Sequence, residues 1–379
     1  MIYLDNGATS FPKPAGVERA VVAALRTCAN PGRGGYEAAM QAAKTVLSCR
    51  EKAAAMFSCQ PEQVVFTGSC THGLNIAIHT LVKPGAKVVI SGFEHNAVLR
   101  PLTRLNAKIS IAGQKLFDPA DTLTAWEKAL KRGADAAIFT HVSNVFGYVL
   151  PASEMAALCR QYGVPFVIDA AQSAGVLPLD LQALGADFIA MPGHKGLLGP
   201  QGTGLLLCNR LPEPLLFGGT GSQSADPNMP DFLPDRAEAG TQNVPGIAGL
   251  SAALSFLQKT GLEAVRQTEE RQLRRCVRGL EKLGYRVFHG NGQSGAVSFV
   301  PQEDCEELAD WLAQQNIAVR AGLHCAPLAH KSGGTLDTGT VRVSFGWKTR
   351  DPMTDALLKA LENRKKIVNN YCYRSRNPL

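Results

Sequence analysis

Three side chains in this sequence have the types and settings that chemistry needs. Lys195 stands in the run Met191-Pro192-Gly193-His194-Lys195-Gly196, just past Asp187 to Ala190, which reads as a buried strand. Strand ends in α/β sheets face the ligand crevice, where an amine can be desolvated and made nucleophilic. Taken alone, the same residues also read as a loop lysine in a Gly-rich turn. Asp169 ends the preceding apolar run, Val164 to Ile168, and Gln172 follows three residues on. Cys325 lies in Arg320-Ala321-Gly322-Leu323-His324-Cys325-Ala326-Pro327, where Gly allows a tight loop and basic neighbours favour a thiolate. The chain has ten cysteines (28, 49, 59, 70, 159, 208, 276, 305, 325 and 372), without CxxC pairs or histidine companions at zinc spacing. That spacing argues against a metal cluster or a disulfide framework, and most of these thiols are expected to be small buried hydrophobes.

A carboxylate at one buried strand end can hold a pyridine nitrogen protonated, and an amine on the neighbouring strand completes the pair that pyridoxal 5'-phosphate (PLP) requires. Asp169-x-x-Gln172 together with Gly193-His194-Lys195 resembles the class V aminotransferase family of PLP-dependent enzymes, and within it the SufS-type cysteine desulfurases, from Tyr3 to about Leu361. The resemblance implies a PLP-dependent fold type I homodimer that converts L-cysteine to L-alanine. It makes Lys195 the Schiff-base lysine and the group that removes the Cα proton. Asp169, Gln172, His194 and His95 become cofactor contacts, with His95 of Glu94-His95-Asn96-Ala97 over the ring. Asn144 matches a residue that reaches both the cofactor and the substrate carboxylate. Arg342 matches the residue that grips that carboxylate in a fork, a task a lysine does less well, with Arg320 beside it. Cys325 would receive the sulfur as a persulfide and pass it on, with a protein as a possible acceptor.

Gly68-Ser69-Cys70-Thr71-His72-Gly73 joins a short strand to a helix N-terminus, a place where free N–H groups suit a phosphate or where Ser69 simply caps the helix. By resemblance Thr71 is a phosphate ligand, and Thr241 of Glu238-x-Gly240-Thr241-x-Asn243 reaches into the neighbouring subunit's phosphate site. Four positions depart from the family pattern: Cys70 at a threonine, His72 at a glutamate, Pro192 at a hydroxyl residue, and Leu323 at a histidine. Pro192 offers neither hydroxyl nor N–H. Other readings are a selenocysteine lyase, for which Cys325 is dispensable, another class V aminotransferase or lyase acting on a small amino acid, and a PLP-binding scaffold whose site has decayed.

The elements that must position these residues alternate strand and helix: Val17 to Cys28 and Met40 to Phe57 as helices, Gln63 to Thr67 as a strand, Leu74 to Leu81 as a helix, then strands Lys87 to Ser91, Ala136 to Thr140 and Leu205 to Leu207. That is the pattern of an α/β, mostly parallel, doubly wound sheet. Residues 14–255 are expected to form a large PLP-binding domain. Residues 1–13 and 256–379 are expected to form a small α+β domain carrying the Cys325 loop, with one long helical pattern from Pro245 to Leu283 leading into it. The composition, 45% hydrophobic and 19% charged over 379 residues, is ordinary for a globular enzyme. No apolar stretch is long enough for a bilayer, and Met1 to Asp5 carries no basic segment followed by an apolar core, so a soluble cytoplasmic protein with no membrane partner is expected. The net charge of +7 is partly concentrated in Arg364-Lys365-Lys366 and Arg374-x-Arg376. That cluster reads as a solvated tail rather than a nucleic-acid patch.

Overall fold

The computed structural model describes residues 1–32 and 34–376, with side chains through residue 367. Arg33 of the Gly-rich loop and the side chains of Arg374 and Arg376 lie outside the described set.

A seven-stranded sheet forms the centre, in the order Val64–Thr67, Gly204–Cys208, Phe188–Pro192, Phe166–Asp169, Ala136–Thr140, Lys87–Ser91, Lys108–Ala112. Gly204–Cys208 runs antiparallel to both its neighbours, and every other pair is parallel. The inner strands are Val-, Ile- and Phe-rich and buried along their whole length, which is what a parallel sheet covered on both faces demands. The strand Lys87–Ser91 lies between Lys108–Ala112, which follows it in sequence, and Ala136–Thr140, so the winding reverses there. Ligands bind outside the carboxyl ends of strands at such a reversal. His95, Asn144 and Asp169 all sit at those carboxyl ends.

A second, antiparallel sheet of Arg320–Gly322, Thr340–Ser344, Ala296–Val300 and Arg286–Phe288 packs its own apolar cluster, including Val297, Phe299, Leu308, Val341 and Leu357. Leu4 joins this cluster, because Ile2–Tyr3 pairs in parallel with Ile317–Ala318.

Several expectations need correction. The helix expected from Leu74 runs Cys70–Leu81, one turn earlier, since Ser69 caps it by accepting from the His72 N–H at 3.1 Å. The long helical pattern is two helices, Val244–Thr260 and Leu262–Lys282, divided at Gly261 with φ +81°, a conformation that favours glycine. At Arg364 the basic C-terminal segment is not a solvated tail. It belongs to the helix Asp351–Arg376, where Arg364 pairs with Glu303 at 3.2 Å and lies over the Trp311 ring. Among the described residues no helix is long and apolar enough to cross a membrane.

Candidate active site

Asp169 ends its strand 2% exposed. Its Oδ1 accepts from the Ala171 N–H at 2.9 Å and from the Cys70 thiol at 3.5 Å. A carboxylate so buried, with an amide and a thiol as its partners, is suited to a cationic ring nitrogen. Lys195 lies near Asp169 and Cys70. Burial pushes its amine below the ordinary lysine range, while Cys70 and Asp169 oppose that shift and Arg342 and Arg320 add to it. Desolvation that disfavours the ammonium form makes a lysine amine more nucleophilic.

His95 caps the helix Asn96–Arg104, its Nδ1 accepting from the Ala97 N–H at 3.0 Å. In the neutral ring the proton therefore sits on Nε2. Burial lowers its pKa, with the Asp169 charge opposing. Beside it, Glu94 is fully buried. Its Oε1 accepts from the Thr140 N–H at 2.9 Å and from the Ser91 hydroxyl, while Oε2 has no partner. Burial pushes this carboxyl up to about 8, so it is protonated at neutral pH.

The lysine loop is held from outside. The His194 carbonyl accepts from the Ser10 N–H at 3.0 Å, the Thr9 hydroxyl at 3.0 Å and the Lys13 amine at 2.6 Å. Burial lowers the Lys13 amine to about 8 and the His194 ring to about 4. The Pro12-Lys13-Pro14 run signalled only a break in regular structure, so this contact was not legible in it. Gln172, expected on the cofactor, has its amide donating to the Gly7 carbonyl at 3.0 Å.

The thiol loop is strained and tied down. His324 and Cys325 are consecutive non-glycine residues with φ +49° and +56°. Such backbone persists where surrounding contacts over-determine it, commonly at functional sites. Here the Asn144 amide donates to the His324 carbonyl at 2.8 Å, and the Asn96 N–H donates to the Cys325 carbonyl at 2.8 Å. The His324 ring is buried, bonded to the Thr340 hydroxyl at 3.1 Å, and pushed down to about 2 by burial and nearby Arg342, so it stays neutral. Nine cysteines are described as free thiols, and Cys325 is the exposed one among them.

Arg342, 2% exposed, donates from Nη1 to the Asn144 carbonyl and from Nη2 to Asp5 Oδ1, each at 2.7 Å; its Nε has no partner. Arg320 is its register partner across the small sheet and is exposed. Thr71 and Thr241 are both exposed, Thr241 at the rim of a cavity that also takes in Gly68 and His72. The structure thus gathers Lys195, Asp169, Cys70 and His95 at one end of the sheet, with Arg342, Asn144 and the Cys325 loop linked beside them.

A model of the aminotransferase class-V family matches residues 2–357. The chain belongs to the class V aminotransferase family. A probable cysteine desulfurase of Pyrococcus abyssi is 34% identical, over 98% of this chain and 96% of its own length. One from Methanothermobacter thermautotrophicus is 31% identical, over 95% and 94%. The apo structure of a cysteine desulfurase from Thermococcus onnurineus superposes with TM-score 0.88 at 31% identity, covering 96% of this chain and 94% of that one. Against the family pattern, Cys70 is now accounted for as a donor to Asp169. Pro192 lies in its strand opposite Gly204, and its neighbour Gly193 donates to the Thr203 carbonyl at 2.8 Å.

Proposed function

We propose that this class V aminotransferase family member is a PLP-dependent cysteine desulfurase, releasing L-alanine from L-cysteine and keeping the sulfur on Cys325. The observation that carries the reading is the exposed Cys325 thiol on a two-residue left-handed turn anchored to Asn96 and Asn144. An aminotransferase or lyase has no use for such a thiol, whereas a desulfurase needs one that can reach substrate sulfur. The relatives named cysteine desulfurase, 31–34% identical over nearly the whole chain, support the same conclusion.

The residues fit PLP. Asp169, 2% exposed and bonded to the Ala171 N–H and the Cys70 thiol, would hold the ring nitrogen; the Ser69–His72 helix start with Thr71 would hold the phosphate; His95 would lie at the ring face, with His194 and Gln172 close to the lysine loop and ring edge. When bound, the cofactor supplies an electron sink for the carbanion formed at the substrate Cα. Lys195, whose charged form burial disfavours, takes the Cα proton. Arg342, with Asn144 and Arg320 nearby, orients the α-carboxylate. The Cys325 thiolate attacks the substrate sulfur, the S–S bond forms as the Cβ–S bond breaks, and the bonding pair leaves with the carbon skeleton. After taking up a proton that skeleton departs as alanine, so L-cysteine and one thiol give L-alanine and one persulfide. Reduction by a protein or small thiol returns Cys325.

The reading includes a homodimer. Leu25, Tyr36, Met40, Leu47 and Phe217 are large apolar residues left exposed by the single chain, and Leu47 lines one cavity with the exposed Thr241. Exposed apolar residues of this size suit a surface for a partner, and a second copy would bring its Thr241 to the phosphate site. The reading also keeps the division into a large domain, 14–255, and a small one of 1–13 with 256–379.

The test compares wild type with Cys325→Ala under a thiol reductant, measuring alanine and sulfide from L-cysteine and selenide from L-selenocysteine. Loss of L-cysteine turnover in the variant, with L-cysteine still perturbing the cofactor absorbance, is expected. Wild-type rates of sulfide release by Cys325→Ala would overturn the desulfurase mechanism, and turnover of selenocysteine alone would make the protein a selenocysteine lyase.

A further inference from the structure

The guanidinium of Arg342 is already committed before any substrate arrives. Its Nη2 holds Asp5 Oδ1 at 2.7 Å, with the arginine side chain 3% and the aspartate side chain 18% exposed. The adjoining Nε–H is buried and unpaired. An orphaned donor beside a made one means that the edge on which a carboxylate would take two parallel N–H bonds is half used.

The backbone carrying Asp5 is fixed from several sides. The Ser344 N–H donates to the Leu4 carbonyl at 2.8 Å, the Gly7 N–H to the Ser344 hydroxyl at 2.8 Å, and the Tyr3 hydroxyl to the Asp5 carbonyl at 3.0 Å. Gln172 holds the Gly7 carbonyl. A Cβ on Gly7 would stand 3.1 Å from Arg342 Cζ, so the segment lies directly against the guanidinium. What remains free to turn is the short Asp5 side chain, at the wetter end of the pair.

We infer that Asp5 is the counter-ion that Arg342 exchanges for the α-carboxylate. It occupies the guanidinium in the resting enzyme, swings toward solvent when the amino-acid carboxylate takes the Nε and Nη2 edge, and returns as the product leaves. Three consequences follow from charge alone. The buried guanidinium is never unpaired, which would be costly. The net charge around Arg342 stays constant through the cycle. Asp5 also competes with the product as much as with the substrate, because L-alanine carries the same carboxylate, and so it hastens release. Asp5 is thus a positioning residue that acts through Arg342. This inference rests on the reading of Arg342 as the carboxylate anchor.

The experiment uses holoenzyme and two readouts: the L-alanine dissociation constant from perturbation of the cofactor absorbance, and KM and kcat for L-cysteine. Arg342→Gln checks the underlying reading first, by losing L-alanine binding; retention of that binding would refute the anchor itself and the inference with it. With the anchor established, Asp5→Asn is expected to tighten L-alanine and to lower KM by about fivefold each, while kcat falls as release slows. Asp5→Glu, which restores the charge, should behave as wild type. Unchanged or weakened binding of both in Asp5→Asn would mean that Asp5 merely props Arg342 and would overturn the exchange. A crystal of wild type with L-alanine decides independently of the variants' stability: an Asp5–Arg342 bond still at about 2.7 Å beside the bound carboxylate would overturn it.

Discussion

The most telling perturbation outside the site itself is removal of Glu238, two residues before Gly240-Thr241. Arg50 meets it with both nitrogens at 2.9 Å, in a fork whose two side chains are 9% and 4% exposed. Glu238 Oε1 also accepts the Phe66 N–H at 2.7 Å, Oε2 accepts from Gln242, and the Arg50 guanidinium stands 4.6 Å from the Phe66 ring centre. Phe66 belongs to the strand that delivers Gly68 to His72, so one buried ion pair fastens the Thr241 loop to that strand. Deleting either member leaves the other's buried charge unpaired, and deleting Glu238 also frees the Phe66 N–H, a cost of about 3–5 kcal/mol. In a chain of this size that lowers the unfolding midpoint by roughly 4–6 °C. The assay is thermal unfolding, by circular dichroism, of cofactor-loaded wild type, Arg50→Ala, Glu238→Ala and the double variant, with PLP affinity measured beside it. Because the second deletion removes the charge stranded by the first, the double variant should be at least about 2 kcal/mol less destabilised than the sum of the singles. PLP should bind more weakly in each. Strict additivity, or Glu238→Ala unfolding at the wild-type temperature with unchanged PLP affinity, would refute the argument.

Lys195→Ala should abolish turnover and shift the visible absorbance of bound PLP to that of the unattached cofactor; an unaltered spectrum would remove Lys195 from its role. Thr241→Ala should weaken PLP binding about tenfold, the loss expected for one hydrogen bond to a charged group, and wild-type affinity would count against a phosphate contact from the second copy. Glu269, 6% exposed in the helix Leu262–Lys282, has its carboxyl pushed from 4.5 up to about 8 by burial. The folded state then binds more protons than the unfolded chain between those values, so stability falls as pH rises from about 4.5 through 8. Glu269→Gln should flatten that decline, unfolding later than wild type at pH 9 and much as wild type does at pH 5; parallel pH profiles for the two proteins would show that Glu269 is ionised in the fold.

The strand preceding Asp169 and the strand preceding Lys195 were legible because a parallel sheet buried on both faces writes itself as uninterrupted apolar runs, and the chemistry sits where such runs stop. The same logic located Ser91, Thr140 and the positions of His95 and Asn144. Helix boundaries were less legible. Cys70 to Gly73 looked like a loop, since no periodicity marks a first turn made of small polar residues, and only the Ser69 cap fixes its start. The break at Gly261 was hidden because apolar spacing continues on both sides of it. The C-terminal basic run looked solvated because charge clusters usually are, yet Arg364 is answered by Glu303, 61 positions earlier, just before the helix Cys305–Gln314, and by Trp311 within that helix.

The sequence by itself determined the fold class, the lysine and carboxylate at consecutive strand ends, and the one cysteine set apart from the others by its neighbours, because those features are written in runs of contiguous residues. Tertiary structure alone decided which groups answer them. Asp5 meets Arg342 across 337 positions, Glu238 meets Arg50 across 188, and Cys70 meets Asp169 across 99. No local pattern encodes such pairs, since each is imposed by the burial of one member, whose charge or polar atom must find a partner wherever the packed chain brings one within reach.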